Sequence, residues 1–372
     1  MNVETLIYAY LAICTSMIVF NCACIFVFRS RDKVLLRHSS RLEDAVIKQI
    51  RQIRSGEPVD EAHEAFLRKK LVRTSNLQAF DEALERLLET EPESENVRMY
   101  IRHISPIFTY LAMENRYHNT MKLTYFAYVI RKYRIIEGRP IPIIMELLIE
   151  LLQEPSLYCR ENALQAIYSA GDCGYVLRAL RTVDENRRFH HAKLLTDGLL
   201  TFCGDRQDLA QTLWASFNDF SVPMRVVILD FIRFGGVDRK EEVLQLLADT
   251  RSDDEIRFSC IRYFGKYPCE RAYPLLIDFV ERPWKRRWEY AAIAATALAS
   301  YPEERTIDVL KKALSNSSWY IRFNAARSLE HFQLTYLELS DVMESNDRYA
   351  REILQYQMNL KKAAQEREVV LV

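Results

Sequence analysis

Between residues 159 and 325 the chain returns five times to one local pattern. The segments are Cys159-Arg160-Glu161-Asn162-Ala163, Met224-Arg225-Val226-Val227-Ile228, Ile256-Arg257-Phe258-Ser259-Cys260, Trp288-Glu289-Tyr290-Ala291-Ala292 and Ile321-Arg322-Phe323-Asn324-Ala325. Their first residues lie 65, 32, 32 and 33 positions apart, and a divergent unit beginning at His191 divides the longest step. A period of this size holds two short helices, and one such pair cannot bury its apolar face unless another stacks on it. Each unit runs toward a glycine (Gly171, Gly204, Gly235 or Gly265) and is followed by a second apolar helix over 241–247, 272–280 or 306–314. The segment from Asn346 to Leu354 echoes the pattern once more and reads as a terminal cap before a polar tail.

Upstream, the apolar residues also recur every three or four positions, as in Leu42, Ala45, Val46, Ile50, Ile53 and Leu77, Phe80, Leu84, Leu87, Leu88. No stretch sustains alternation at period two, so the expected class is all-α. Only 9 glycines and 11 prolines in 372 residues leave little punctuation for a loop-rich β fold or a disordered chain. Breaks at Ser55–Pro58, Glu91–Ser94 and Gly138–Pro140 predict three or four helices in 40–137.

Thr5 to Phe28 carries no charge over 24 positions. At about 1.5 Å per residue such a helix spans a hydrocarbon core of roughly 30 Å, so a transmembrane helix is expected. Met1–Glu4 has no basic residue and Phe20–Cys24 makes a poor cleavage site, so the segment is expected to be retained. Arg29, Arg31, Lys33 and Arg37, against Asp32 alone, follow it. The positive-inside rule then places the C-terminal part in the cytoplasm. Three of the eight cysteines fall inside the apolar run, and the other five lack zinc or disulfide spacing.

The units resemble HEAT repeats, particularly the short bacterial HEAT-like type. The best match is Ser317–Leu329 with the preceding helix Asp308–Leu314, and the resemblance covers about 140–360. It is weak near 190, where Ala192 holds the arginine position, and Glu289 is a second departure. The resemblance implies a right-handed α-solenoid whose second helices line the concave face. It implies no single activity, since such arrays serve mostly as scaffolds. HEAT-like hydroxylases carry His-Glu pairs as iron ligands, and the matching positions here read Glu161-Asn162, Phe258-Ser259, Tyr290-Ala291 and Phe323-Asn324. Bilin lyases share similar repeats, but nothing here is specific to a tetrapyrrole.

Lys+Arg 51 balance Asp+Glu 51, which argues against a general nucleic-acid binder. No phosphate-loop, nucleophile-elbow or HExxH pattern occurs, and the pair His190-His191 points about 100° apart on a helix. No catalytic residue, metal ligand or cofactor is therefore expected. The repeat arginines Arg160, Arg225, Arg257 and Arg322 follow buried apolar positions, where a guanidinium bonds carbonyl or acidic groups of neighbouring turns. If Ile256, Ser259, Cys260 and Tyr263 form the buried stripe of their helix, Phe258 and Arg262 project away from it. The equivalent residues are Tyr290 with Ala294 and Phe323 with Arg327. Phe258, Tyr290 and Phe323 would then form an aromatic row on the concave side, a candidate protein-binding surface; the alternative is packing between repeats. A second candidate is the basic, aromatic turn Glu281–Trp288, with Arg282, Trp284, Lys285, Arg286 and Arg287 set to contact phosphate, anionic lipid or an acidic protein surface; the alternative is a solvated loop with Trp288 buried.

The expected organisation is a short outer segment 1–4, a transmembrane helix 5–28, a basic segment 29–39, helices over 40–137, HEAT-like repeats over 138–345, and a capping helix with polar tail over 346–372. The expected function is a single-pass membrane scaffold that binds a membrane-associated protein. The alternatives are a HEAT-like enzyme or enzyme subunit of lyase type and, less favoured, a membrane-proximal nucleic-acid binder.

Overall fold

The computed structural model describes residues 3–90, 95–115, 120–186, 190–283 and 287–370, with side chains at 3–7, 9, 27–39, 90, 115 and 361–370 left undescribed. Among the described residues there is no strand. The chain divides into two compact units, Met1–Arg188 with Thr201–Gly204, and Phe189–Leu200 with Asp205–Val372. Position 138, where the repeats were expected to begin, lies inside the first.

The first unit opens with α1 (Val3–Arg54), a single helix of 52 residues. The expected division into a membrane helix, a basic segment and a further helix is not seen in the backbone, which is helical throughout. No glycine or proline occurs before Gly56, so nothing interrupts the backbone ladder. Then follow α2 (Glu61–Lys70), α3 (Thr74–Thr90), α4 (Glu95–Asn115), α5 (Thr120–Lys132), α6 (Pro142–Leu151), α7 (Leu157–Ala170) and α8 (Cys173–Glu185). Residues 40–137 thus carry α2 to α5 besides the end of α1, more helices than the breaks predicted. Successive odd helices α1, α3, α5 and α7 pack on one another, and so do the even helices α2, α4, α6 and α8. The core between them includes Phe80, Tyr100, Phe108, Phe126 and Tyr168, all fully buried.

The two ends of α1 differ. From Leu42 the helix buries Leu42, Val46 and Ile50 against α3 and α4. Toward the N-terminus, every described side chain from Tyr8 to Phe26 is exposed or half-exposed, with Tyr8 at 71% and Phe26 at 74%. Thr15 satisfies its hydroxyl on the Leu11 carbonyl at 2.8 Å, which removes one polar group from the surface of this apolar stretch. Among the described residues no helix is long and apolar enough to cross a membrane.

The second unit contains α9 (Ala192–Leu199), α10 (Arg206–Ala215), α11 (Val222–Gly235), α12 (Lys240–Ala248), α13 (Asp254–Lys266), α14 (Tyr273–Glu281), α15 (Trp288–Ala297), α16 (Glu304–Ala313), α17 (Trp319–His331), the short α18 (Ser340–Met343) and α19 (Arg348–Val370). The odd helices α9 to α19 stack in order, and α14 packs on α16. Aspartates start several of these helices: Asp205, Asp253 and Asp347 accept backbone N–H groups of the first turns of α10, α13 and α19.

Side chains fix the register between neighbouring pairs. Asn324 donates to the Ala292 carbonyl, Ser328 to that of Ala295, Ser300 to that of Gly265, and Tyr267 to that of Arg233. Each bond spans 32 to 35 residues, close to the sequence period. Gly265 lies at a close approach of α13 to α15, because a Cβ there would stand 3.0 Å from the Ala297 Cα.

Candidate functional site

The repeat arginines bond to backbone carbonyls at the C-terminal ends of preceding helices or just beyond them. Arg160 donates to the carbonyls of Glu154 (2.9 Å) and Pro155 (2.8 Å), Arg225 to Phe220 (2.7 Å), and Arg322 to Asn316 (2.8 Å). Arg257 reaches the Leu247 carbonyl in the last turn of α12 at 3.1 Å and the Tyr290 hydroxyl at 3.1 Å. Helix C-termini leave carbonyls unpaired and carry partial negative charge, so each guanidinium answers both needs. Arg351 does the same for Ser345 at 2.5 Å, a sixth-residue spacing identical to that of Arg322 and Asn316. This places Arg351 in register with Arg322, and Glu352 in register with Phe323. Where Glu289 replaces the arginine, Arg287 pairs with it at 2.7 Å and with Asp254 at 3.4 Å.

The expected aromatic row does not form a surface. Phe258 and Tyr290 are each 2% exposed. Their rings meet edge to face at 4.7 Å, and Tyr290 also lies against Phe279 at 5.0 Å. The guanidinium of Arg287 covers Phe258 at 5.3 Å, and that of Arg257 covers Tyr290 at 5.0 Å. Tyr290 donates to Asp254 at 2.6 Å, and burial with this bond pushes its phenol up to about 12. The reason for the correction is geometric. A single buried stripe describes a helix with one covered side, whereas α13 is packed by α11, α12 and α15 and buries Ile256 to Ile261 without a break. Arg262 and Arg327 are exposed and Phe323 is half-buried.

The basic turn is only partly within the described residues: Trp284, Lys285 and Arg286 lie outside them. Arg282 pairs with Asp278 at 2.9 Å, one helical turn back. Trp288 is not buried; it is 44% exposed and stacks on Tyr320 at 5.0 Å. His191 is the N-cap of α9, its Nδ1 accepting the Lys193 N–H at 3.1 Å. Among the described residues no cluster of His, Cys, Asp and Glu could hold a metal ion.

The open aromatic surface lies one repeat further along, on α17 and α19. A groove of about 450 Å³ is bounded by Trp319, Arg322 and Phe323 on α17 and by Tyr349, Glu352, Ile353 and Tyr356 on α19. Trp319 stacks on Phe323 at 4.8 Å and meets Tyr320 edge-on at 5.3 Å, while Arg322 lies over Tyr349 at 5.4 Å. Trp319, Tyr320, Tyr349 and Tyr356 are 51 to 66% exposed. Glu352, where the earlier repeat has Tyr290, pairs with Arg348 at 2.7 Å and lines the groove beside Phe323, which no ring from α19 seals. Arg327, one turn beyond Phe323, continues the same face beside Glu330, His331 and Gln357. Of the residues singled out in sequence, only Phe323, Arg327 and the structural Arg322 belong here. Trp319 and Tyr320 stand in the best-matching repeat, and their adjacency at a helix start was the available signal.

No protein-family model matches the chain, and neither does any curated protein. Among solved structures it is similar to human deoxyhypusine hydroxylase in complex with glycerol, at 15% identity and a TM-score of 0.28, over 82% of this chain and 97% of that one. A likeness at that level carries no argument about fold or activity.

Proposed function

We propose that this protein is a membrane-anchored helical-repeat scaffold that holds a membrane-associated protein partner in the groove between α17 and α19. The observation that carries the reading is the exposed ring cluster of Trp319, Tyr320, Tyr349 and Tyr356, with Phe323 at its floor. Aromatic and arginine side chains in a shallow apolar recess are the groups that dominate protein binding energy. Four large exposed rings on a face already stacked on its neighbours are hard to account for as packing.

The anchor is the N-terminal half of α1. It supports the reading because the run 5–28 carries no charge, with only Thr5, Thr15, Ser16 and Asn21 clearly polar, and its described side chains are exposed or half-exposed. A long uncharged helix that leaves its apolar side chains exposed is stabilised by lipid. The basic flank at Arg29, Arg31, Lys33 and Arg37 orients the two units toward the cytoplasm. Anchoring confines the scaffold to two dimensions and raises its effective concentration toward partners in the same membrane.

A photocrosslinking residue placed at Tyr349 or Tyr356 in the full chain, in native membranes, is expected to trap one discrete membrane protein. The same residue at exposed Arg305 on α16 is expected to trap none. Equal labelling from both positions, or release of the full chain from membranes by alkaline carbonate, would refute the scaffold or the anchor respectively.

A further inference from the structure

The first unit carries a second recess, on α3, α5 and the start of α7, with a different chemistry. It measures about 670 Å³, within the range of small-molecule sites. Its apolar walls are the rings of Tyr125 and Tyr128, with centroids 5.6 Å apart, and the side chain of Met121 at the lip. Its polar groups are the hydroxyls of Thr74, Thr120, Thr124 and Ser156 and the carboxamides of Gln78 and Asn162; Thr124 donates to the Thr120 carbonyl and Ser156 accepts the Cys159 N–H. Among the described residues no charged side chain lines it, in a chain where 27% of residues are charged. Glu154, just outside, accepts the Thr120 hydroxyl at 3.3 Å.

The wall is held from behind. Asp81, 7% exposed, accepts hydrogen bonds from Tyr125 at 2.5 Å, Tyr133 at 2.6 Å and Lys132 at 2.7 Å. Lys132 also pairs with Glu85 at 3.3 Å and lies 5.5 Å from the Tyr128 ring centroid. Burial and the Asp81 carboxylate push the phenols of Tyr125 and Tyr133 far above their ordinary range, so Tyr125 stays a neutral donor. Tyr125 is therefore held by Asp81 before any ligand arrives, and Tyr128 packs on it, which lowers the ordering cost of binding.

We infer that this recess binds a neutral, polyhydroxylated small molecule, a sugar of one to three residues. A phosphorylated or carboxylated ligand would find no cation among the lining residues, the nearby Arg131 being bonded to the Asn162 Oδ1 at 3.2 Å, and a lipid tail would cover the remaining hydrogen-bonding capacity of the hydroxyls and carboxamides without meeting it. A sugar presents both faces the recess needs: C–H surfaces for the tyrosine rings, and hydroxyls that both donate and accept for Gln78, Asn162 and Ser156.

The test uses the full chain in lipid nanodiscs free of glycosidic detergent. Saturation-transfer NMR and calorimetry compare a panel of neutral mono- to trisaccharides with glucose 6-phosphate, glucuronate and an uncharged capped tripeptide. The expected result is binding by one or more neutral sugars and by none of the other probes. Asn162→Ala and Gln78→Ala are each expected to weaken that binding about tenfold, the worth of one or two hydrogen bonds. Tyr128→Ala is expected to abolish it, with circular dichroism confirming that the helices remain. Trp319→Ala, in the other unit, is expected to leave it unchanged, so failure here is distinct from failure of the scaffold reading. Absence of binding across the neutral panel, tighter binding of a charged sugar or the tripeptide, or insensitivity to all three recess variants would overturn the assignment.

Discussion

The repeat beginning at α13 and the repeat beginning at α17 place an aromatic ring at the same position, and the two rings have different fates. Phe258 is sealed beneath Tyr290 and Arg287, whereas Phe323 has Glu352 in the covering position and faces a groove. In a stacked array the exposure of a residue is set by the next repeat as much as by its own helix. An open aromatic surface therefore emerges where the succession of covering side chains changes, which here is at the last full step of the odd-helix stack.

The sharpest way to break this contrast is to truncate the covering ring. Tyr290→Ala removes a buried ring that touches Phe258 and Phe279 and is expected to cost about 3–5 kcal/mol. Phe323→Ala, at the equivalent position on the open step, is expected to cost about 1 kcal/mol or less. Thermal melts of the full chain, followed by circular dichroism, compare the two directly; equal losses would mean that the α17–α19 step is as sealed as α13–α15.

The arginines give the next largest difference. Arg257 is 2% exposed and bonds both the Leu247 carbonyl and Tyr290, so Arg257→Ala is expected to cost about 2–3 kcal/mol, as for a buried charge-assisted bond. Arg322→Ala is expected to cost about 1 kcal/mol, since its carbonyl partners just beyond α16 can be hydrated. Chemical-denaturant midpoints read both.

On the open step the expected loss is of binding. Trp319→Ala and Tyr349→Ala should each weaken partner capture by at least about tenfold while leaving the melting temperature within a few degrees of the parent chain. A lowered melting temperature with unchanged capture would assign these rings to packing.

The smallest effect concerns a sealed contact in the first unit. His63 is 7% exposed, with its Nε2 2.8 Å from the Tyr100 hydroxyl. Burial holds its pKa below the ordinary value of 6.5, while Asp60 and Glu64 pull the other way. The unfolded chain therefore takes up a proton that the folded chain refuses. The stability is present in full above pH 6.5 and is lost as pH falls from there through the lowered folded value. Replacing His63 by Gln should flatten this slope, by about 1 kcal/mol or less between pH 7.5 and 5. An unaltered slope would place the acid sensitivity elsewhere.

Much of the architecture was legible in the residues. The 32–33 spacing located the helix pairs from 222 onward, and the second helices over 241–247, 272–280 and 306–314 fall within α12, α14 and α16 with small shifts at their ends. Gly56 and the Gly138–Pro140 break mark ends and turns that the structure keeps. The continuity of α1 was less visible, because hydropathy changes at Phe28 while helix propensity does not. The site was least legible. Phe258, Tyr290 and Phe323 are equivalent by periodicity, and periodicity counts only the faces of one helix.

The sequence alone determined that this chain is helical, that its helices come in pairs with a nearly fixed period, that one stretch of 24 residues carries no charge, and that its arginines recur where helix ends need them. These follow from local propensity and spacing, which act within a few turns. The tertiary structure decided which aromatic rings are sealed and which are open, and it brought Asp81 beneath two tyrosines some 50 residues away. Burial is a property of neighbouring surfaces. A ring's neighbours across a stack come from other repeats, so only the packed fold determines what remains free to bind.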